Sequence, residues 1–151
     1  MKAFDWRHPP WGGRVLPNDA CPTCGTMMRK KRGTLAVPVN GEPVAVPHSS
    51  HLSCPKCGET VLSSTEAGRL QEDAIATYRK KHGLLSADEI RALRAHFGLT
   101  QAQLARLLRL GAMTVSRWES GRNVQTAALD LLLRLIRDVK GGMDYVRRHA
   151  A

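Results

Sequence analysis

TQAQLARLLRLGAMTVSRWESG, Thr100–Gly121, is the stretch on which the reading of the chain turns. Thr100 is a good N-cap, and Leu104, Ala105 and Leu108 follow it at helical spacing, as an amphipathic helix requires. Leu110 and Gly111 then lead through a tight turn into a second helix, in which Val115 and Trp118 share one face while Met113, Thr114 and Arg117 point elsewhere. Ala105 is small where the two helices of such a pair cross, and a large side chain there would push them apart. The pattern is that of a helix-turn-helix whose second helix can enter a major groove of DNA.

Within it, Ser116-Arg117-Trp118-Glu119-Ser120-Gly121 resembles the V-S-R-W-E-x-G signature of the Cro/repressor-like (XRE) family, with Gly121 placed to end the recognition helix in a left-handed conformation. The likeness covers residues 86 to 140. One position departs from it. The turn residue four after Ala105, glycine in that family, is Arg109, and Gly111 is expected to take over the permissive conformation two residues later. Arg117 is the expected main contact to base edges or phosphate, because a guanidinium can bridge guanine O6 and N7. Thr114 can hydrogen-bond bases or phosphate, and Met113 can only pack on apolar surface such as a thymine methyl. Gln101 is expected at a phosphate. Trp118 shares the face of Val115 and reads as core. Glu119 would repel phosphate and reads as an internal salt-bridge or cap partner of an arginine on a preceding helix.

The chain has 151 residues, with 23 Lys and Arg against 13 Asp and Glu, a formal net charge of +10. That length allows one ordinary domain or two small ones, and the composition shifts along the chain favour two. So strong a charge points to a polyanionic partner and does not by itself choose among DNA, RNA and an anionic membrane face. No apolar run is long enough to span a bilayer, and MKAFDWRHPPWGG at the N-terminus lacks the apolar core of a signal peptide. A cytoplasmic protein without a membrane partner is expected, nucleoid-associated when bound to DNA. In that reducing compartment the cysteines are thiols or metal ligands rather than disulfides.

Residues 1–20 hold Trp6 and Trp11 among three prolines and no periodicity; they read as a flexible leader or as a segment that docks on a partner or on the next domain. Then come Cys21-Pro22-Thr23-Cys24-Gly25 and Cys54-Pro55-Lys56-Cys57-Gly58, with twenty-nine residues between Cys24 and Cys54. Two C-x2-C knuckles bring four thiolates round one tetrahedral site, and glycine after the second cysteine allows the turn that aims backbone N–H groups at sulfur. Structural Zn2+ is the expected cofactor, held by Cys21, Cys24, Cys54 and Cys57. A redox dithiol, an iron–sulfur or rubredoxin-like iron site, and unrelated thiols are the competing readings of such cysteines. His48 and His51 are possible alternative ligands, but beside four cysteines they read as polar loop or strand residues. Arg29, Lys30, Lys31 and Arg32 would offset the residual negative charge. Between the knuckles, Leu35, Val37 and Val39 alternate, Asn40-Gly41 suits a type I′ turn, and Val44 and Val46 return, which makes a β-hairpin whose Pro38, Pro43 and Pro47 demand edge positions or short strands. Residues 20–62 are therefore a zinc ribbon whose folding is coupled to its metal.

Ser63-Ser64-Thr65-Glu66 supplies an N-cap signal for a connecting helix, residues 63–84, with Leu70, Ala74, Ile75 and Tyr78 on one side and a stop at His82-Gly83. Arg79, Lys80 and Lys81 read equally as phosphate contacts or as a solvated helix end. Residues 85–140 form the helix-turn-helix domain, opening at Ser86 with Ile90, Leu93 and Phe97 as a core face. Its last helix, Thr126 to Lys140, is too apolar for one buried face: Leu129, Leu132, Leu133 and Ile136 can cover a core, leaving Leu131 and Leu135 on a second side. A homodimer through Leu131 and Leu135 accounts for that, and would set two recognition helices about one turn, roughly 34 Å, apart on a pseudo-palindromic operator in double-stranded DNA. The tail, residues 141–151, follows a double glycine and is either mobile or a short helix added to the dimer contact.

The fold class is thus α+β in two small domains: an N-terminal zinc ribbon, a β-hairpin with two CPxCG knuckles, and a C-terminal all-α lambda-repressor-like helix-turn-helix domain. This order resembles the MqsA-type antitoxins, also described as YgiT-type zinc-finger/helix-turn-helix proteins, over residues 20 to 140. The resemblance implies a type II toxin–antitoxin component whose zinc domain neutralises a partner toxin, commonly an RNase, and whose C-terminal domain dimerises and represses its own operon. It places the zinc ligands on Cys21, Cys24, Cys54 and Cys57 and the DNA-reading arginine on Arg117. The family's DNA-reading asparagine falls on Met113, which removes a bidentate adenine contact and implies a different operator. A stand-alone zinc-ribbon transcriptional regulator without a toxin is the alternative. No Ser/His/Asp or paired-carboxylate arrangement stands out and four cysteines close a metal shell, so no enzyme is expected.

Overall fold

A computed structural model of the chain describes residues 19–150, so the reading of the leader lies outside the described residues for positions 1–18. Among the described residues, 19–36 together with Ala45–Leu70 form one compact unit, and Val37–Val44 together with 71–150 form another. The boundary falls inside the helix read as a connector, so that helix contributes to both units.

The hairpin is longer than the alternation alone marks out. Strand β1 spans Arg29–Val39 and β2 spans Glu42–Ser53, with the basic run Arg29–Arg32 forming the exposed start of β1. Asn40 and Gly41 have φ of 50° and 83°, the two positive values that a type I′ turn requires. A short strand β3, Thr60–Val61, pairs antiparallel with the end of β2 through Leu52↔Val61 and Ser53↔Thr60, giving the order β1-β2-β3. Pro43 and Pro47 lie on β2 before that pairing begins, where a missing N–H leaves no ladder bond to β3 unmade. Helix α1, Ser64–Lys81, opens with the anticipated capping box: the Glu66 N–H donates to Ser63 Oγ at 3.2 Å and the Ser63 N–H donates to the Glu66 carboxylate at 3.0 Å.

The second unit carries the helices α2 (Ala87–His96), α3 (Gln101–Leu107), α4 (Thr114–Glu119), α5 (Ala127–Asp138) and α6 (Gly142–His149). Ser86 with Glu89 and Thr100 with Gln103 form capping boxes at the starts of α2 and α3, and Thr126 caps α5. Ile90, Leu93, Leu104, Ala105, Val115, Trp118, Leu133 and Ile136 form the buried core, with Phe97, Leu129 and Leu132 packed half-buried against it. The fully buried Ala105 agrees with the close crossing that its size suggested. The tail is helical, and its Met143 enters the same core.

Four of these helices end in one way. After α1, α2, α3 and α4 the chain turns through a left-handed residue, and the next N–H reaches back to a carbonyl of the last turn: Leu84 to Arg79 at 2.9 Å, Leu99 to Arg94 at 3.1 Å, Leu110 to Ala105 at 2.8 Å and Arg122 to Arg117 at 2.9 Å. Three of the left-handed residues are Gly83, Gly98 and Gly121. The fourth is Arg109, at φ 55°. The expectation that Gly111 would relieve the turn is therefore wrong: the hydrogen bonding of the α3 terminus fixes which position must be left-handed, and that position is Arg109 whatever residue occupies it. Its Nη2 donates to the His149 carbonyl at 3.1 Å, which offsets part of the steric cost. An L-residue in this conformation costs about 1–2 kcal/mol relative to glycine. Arg109→Gly should therefore raise the melting temperature by a few degrees, since about 1 kcal/mol corresponds to roughly 4–8 °C in a domain of this size, while Arg109→Ala should not. Thermal denaturation of the two variants checks this, and a lower value for Arg109→Gly would mean that the arginine's contacts outweigh its backbone cost.

Candidate functional site

Two places in the chain gather chemistry. The first is built by the two knuckles, which repeat each other bond for bond. The Cys21 N–H donates to the Thr26 carbonyl at 2.9 Å and the Gly25 N–H to the Cys21 carbonyl at 2.8 Å; the Cys54 N–H donates to the Glu59 carbonyl at 2.8 Å and the Gly58 N–H to the Cys54 carbonyl at 3.0 Å. Gly25 and Gly58 have φ of 73° and 75°, and a Cβ at either would meet nothing within 4 Å, so glycine is required there by conformation and not by space. The four sulfurs lie within 4.8 Å of one another, with Cys21–Cys57 and Cys24–Cys54 at 3.5 Å and Cys24–Cys57 at 3.6 Å. Four thiolates at about 2.3 Å from a tetrahedral ion stand roughly 3.8 Å apart, so the three close pairs fit a bound metal with an opening of a few tenths of an ångström and the widest separation closes by up to about 1 Å. Met28, Leu52 and Val61 close its inner side.

The thiols are electrostatically unequal. Bonding to the Thr26 hydroxyl and backbone brings Cys24 down to about 6. The N–H groups of Cys57 and Lys56 hold Cys54 below the ordinary thiol value. At Cys57 the Glu59 N–H acts to lower the value, but desolvation and the three neighbouring thiols push it up to about 12. Four thiolates cannot coexist there without a cation, and the cluster can hold a metal ion. Of the two histidines, His48 is an exposed strand residue at φ 57° and His51 is buried with Nδ1 at 3.1 Å from the Ser49 carbonyl; neither joins the cluster.

The second place is α4, which packs against α2 and α3. Val115 and Trp118 are buried, Arg117 and Met113 are exposed, and Thr114 is half-buried at the helix start. Gln101 is turned inward, its Nε2 donating to Glu119 at 2.8 Å. Glu119 is an internal salt-bridge partner, and its arginine is Arg94 of α2: Nε donates to Oε1 at 2.6 Å and Nη2 to Oε2 at 3.0 Å. Burial would raise the Glu119 pKa, but the Arg94 and Gln101 hydrogen bonds outweigh it and hold the carboxyl below its ordinary value.

Arg79, read as a phosphate contact or as solvated, is neither. It is 4% exposed, and its Nη2 donates to the carbonyls of Trp118 at 3.0 Å and Asn123 at 3.1 Å. Lys81 and His82 both engage Glu42, the histidine at 2.7 Å, within the second unit. Leu131 and Leu135 are 60% and 48% exposed, as the two-sided pattern of α5 requires, and Val139 at the end of α5 and Tyr145 on α6 are exposed as well. Sequence reasoning missed a buried polar group at Asp130, whose carboxylate accepts from the Leu85 N–H at 2.7 Å, Gln125 at 3.0 Å and Arg134 at 2.7 Å. The one signal was a lone acid among the four leucines of Leu129–Leu133, with an arginine four residues on.

Over 52 residues the chain is 36% identical to antitoxin HigA-2 of Vibrio cholerae, a match covering 34% of this chain and 50% of that one, so the chain spans half the length of this relative. The family profile described as the antitoxin component of bacterial toxin-antitoxin system, MqsA, matches residues 19–147, which include both the thiol cluster and every helix up to the middle of α6. With both halves of the pattern inside one match, the chain belongs to the MqsA family of antitoxins.

Proposed function

We propose that this chain is a type II antitoxin that binds a partner toxin, an RNase by chemical class, and represses its own operon as a sequence-specific, DNA-bound homodimer in the cytoplasm. The observation that carries the DNA-reading half is the division of α4 into a buried side, Val115 and Trp118, and an outward side on which the Arg117 side chain is exposed. Arg117 reads guanine edges, Met113 and Thr114 add apolar and hydroxyl contacts, and Gln101 supports a phosphate contact through the edge of its amide not used by Glu119. Leu131 and Leu135 form the dimer seam, and the net charge of +10 supplies the salt-dependent attraction to the duplex. The ion in the ribbon is Zn2+, bound structurally, because four cysteines leave no open coordination position for chemistry. No catalytic role is assigned to any residue.

Arg117→Ala should weaken binding to the preferred duplex by about 1–3 kcal/mol, roughly 5- to 150-fold, and relax its sequence preference without changing the circular dichroism of the protein. Unchanged affinity and preference would remove α4 as the reading helix. Cys54→Ser should release the metal, measured by elemental analysis of the purified chain, and unfold the ribbon while the DNA affinity of the helical unit persists; loss of all helical signal would show instead that the helices need the metal. Expressing the neighbouring open reading frame alone and then with this chain tests the antitoxin activity: growth arrest relieved by a complex that copurifies supports it. A harmless neighbour that does not copurify leaves a regulator without a toxin.

A further inference from the structure

The helix proposed to read DNA cannot hold its own conformation. It has six residues and no side-chain cap at its start, whereas isolated helices below roughly 12–15 residues are marginal in water. What fixes it lies at its other end. Three guanidinium groups converge on the last turn of α4: Arg94 on the Glu119 carboxylate, Arg91 Nη2 on the Glu119 carbonyl at 2.8 Å, and Arg79 Nη2 on the carbonyls of Trp118 and Asn123 at 3.0 and 3.1 Å. The Trp118 and Glu119 carbonyls belong to the last turn, at the negative end of the helix dipole, where the Trp118 carbonyl otherwise accepts a long bond from the Gly121 N–H at 3.3 Å, while the Asn123 carbonyl lies in the loop beyond it.

Arg91 and Arg94 belong to α2, inside the repressor-like motif. Arg79 belongs to α1, outside it. Its charge is taken out of water, Asp130 is the carboxylate that acts on it across space, and its Nε has no partner among the described residues. A cation buried on such terms is a poor stabiliser in itself, since desolvation offsets much of what its bonds contribute. Its geometry serves another end. One nitrogen joins the last turn of α4 to the strand of chain beyond Gly121, so the pitch of the helix and the path of the following loop are set together.

We propose that Arg79 is a positioning residue for sequence reading: by holding the Trp118 and Asn123 carbonyls on one donor it fixes the orientation of α4 from which Arg117 meets base edges. This rests on the DNA-reading function proposed above. The test uses the full chain and two duplexes of equal length, one enriched by the wild-type chain from a randomised library and one with that sequence scrambled. Arg79→Met should lose about tenfold or more in affinity for the enriched duplex while its affinity for the scrambled one at low salt stays the same. The ratio of the two is what a role in stability alone would not move. Ile136→Val, a core truncation on α5, should lower the melting temperature and keep the ratio. If Arg79→Met does not fold, Arg79→Gln, which is polar but too short to hold both carbonyls, carries the same comparison. An unchanged ratio in a folded Arg79 variant, or a parallel loss on both duplexes, overturns the role of Arg79 alone. A wild-type chain that enriches no sequence overturns the DNA reading itself, and the role of Arg79 with it.

Discussion

Glu119 places a carboxylate at the end of a six-residue helix with only 4% of the residue exposed, and the helical unit is arranged around keeping that charge satisfied. Arg94 arrives from α2 with two nitrogens and Gln101 from α3 with one, so a single anion fixes three helices with respect to one another. Removing one partner of such a buried pair typically costs about 3–5 kcal/mol, because the other charge is left without compensation. The same cost acts as a restraint on geometry. Small rotations of α4 that a purely apolar contact would tolerate would break a bidentate bond here, and the outward direction of Arg117 inherits that restraint.

The ribbon depends on a different constraint. Between the knuckles the buried side chains are Met28, Val39, Val44, Val46 and His51, so apolar burial cannot account for a fixed arrangement of four sulfurs. The order comes from two copies of one backbone turn, each imposing a left-handed glycine and aiming N–H groups toward sulfur. Such a cradle is prepared for negative charge, and bonding to Thr26 brings Cys24 down to about 6, yet desolvation and its three neighbouring thiols push Cys57 up to about 12. A divalent cation removes the conflict by stabilising all four thiolates together. Helical unit and ribbon thus solve one problem, buried charge, by opposite routes: paired side chains in one and a fitted ion in the other.

Where structure follows from neighbours in sequence, the sequence was readable. The Asn40-Gly41 turn, the caps at Ser63, Ser86, Thr100 and Thr126, and the stops at Gly83 and Gly121 all involve groups a few residues apart, and each is found. The cysteine spacing was decisive for the same reason, since each knuckle closes locally and only the pairing of two knuckles is distant. What escaped is non-local and ends on backbone. Arg79 looks like one more basic residue in Arg79-Lys80-Lys81 because its partners are carbonyls thirty-nine and forty-four residues away, which no side-chain pattern announces. Gln125 and Asp130 similarly serve the carbonyl and N–H of Leu85. Arg109 was visible as an anomaly, but its resolution was not: a turn can be relieved by moving its special residue or by enduring the strain, and only the bonding of the α3 terminus decides between them.

The surface of α5 raises a further balance. Leu133 and Ile136 are buried, yet Leu131, Leu135, Val139 and, on α6, Tyr145 stand about half exposed or more, which is a continuous apolar row and not scattered single residues. Covering it with a second copy would remove that surface from water but bring together two chains that each carry +10. Their repulsion weakens association at low salt and is screened within about 8–10 Å at moderate ionic strength. A DNA duplex does more than screen, because its phosphates neutralise the same side chains that oppose the pairing. In the homodimer proposed above, association through the α5 row and binding to DNA would then reinforce each other, because a duplex that neutralises the repulsion favours the paired state over the single one.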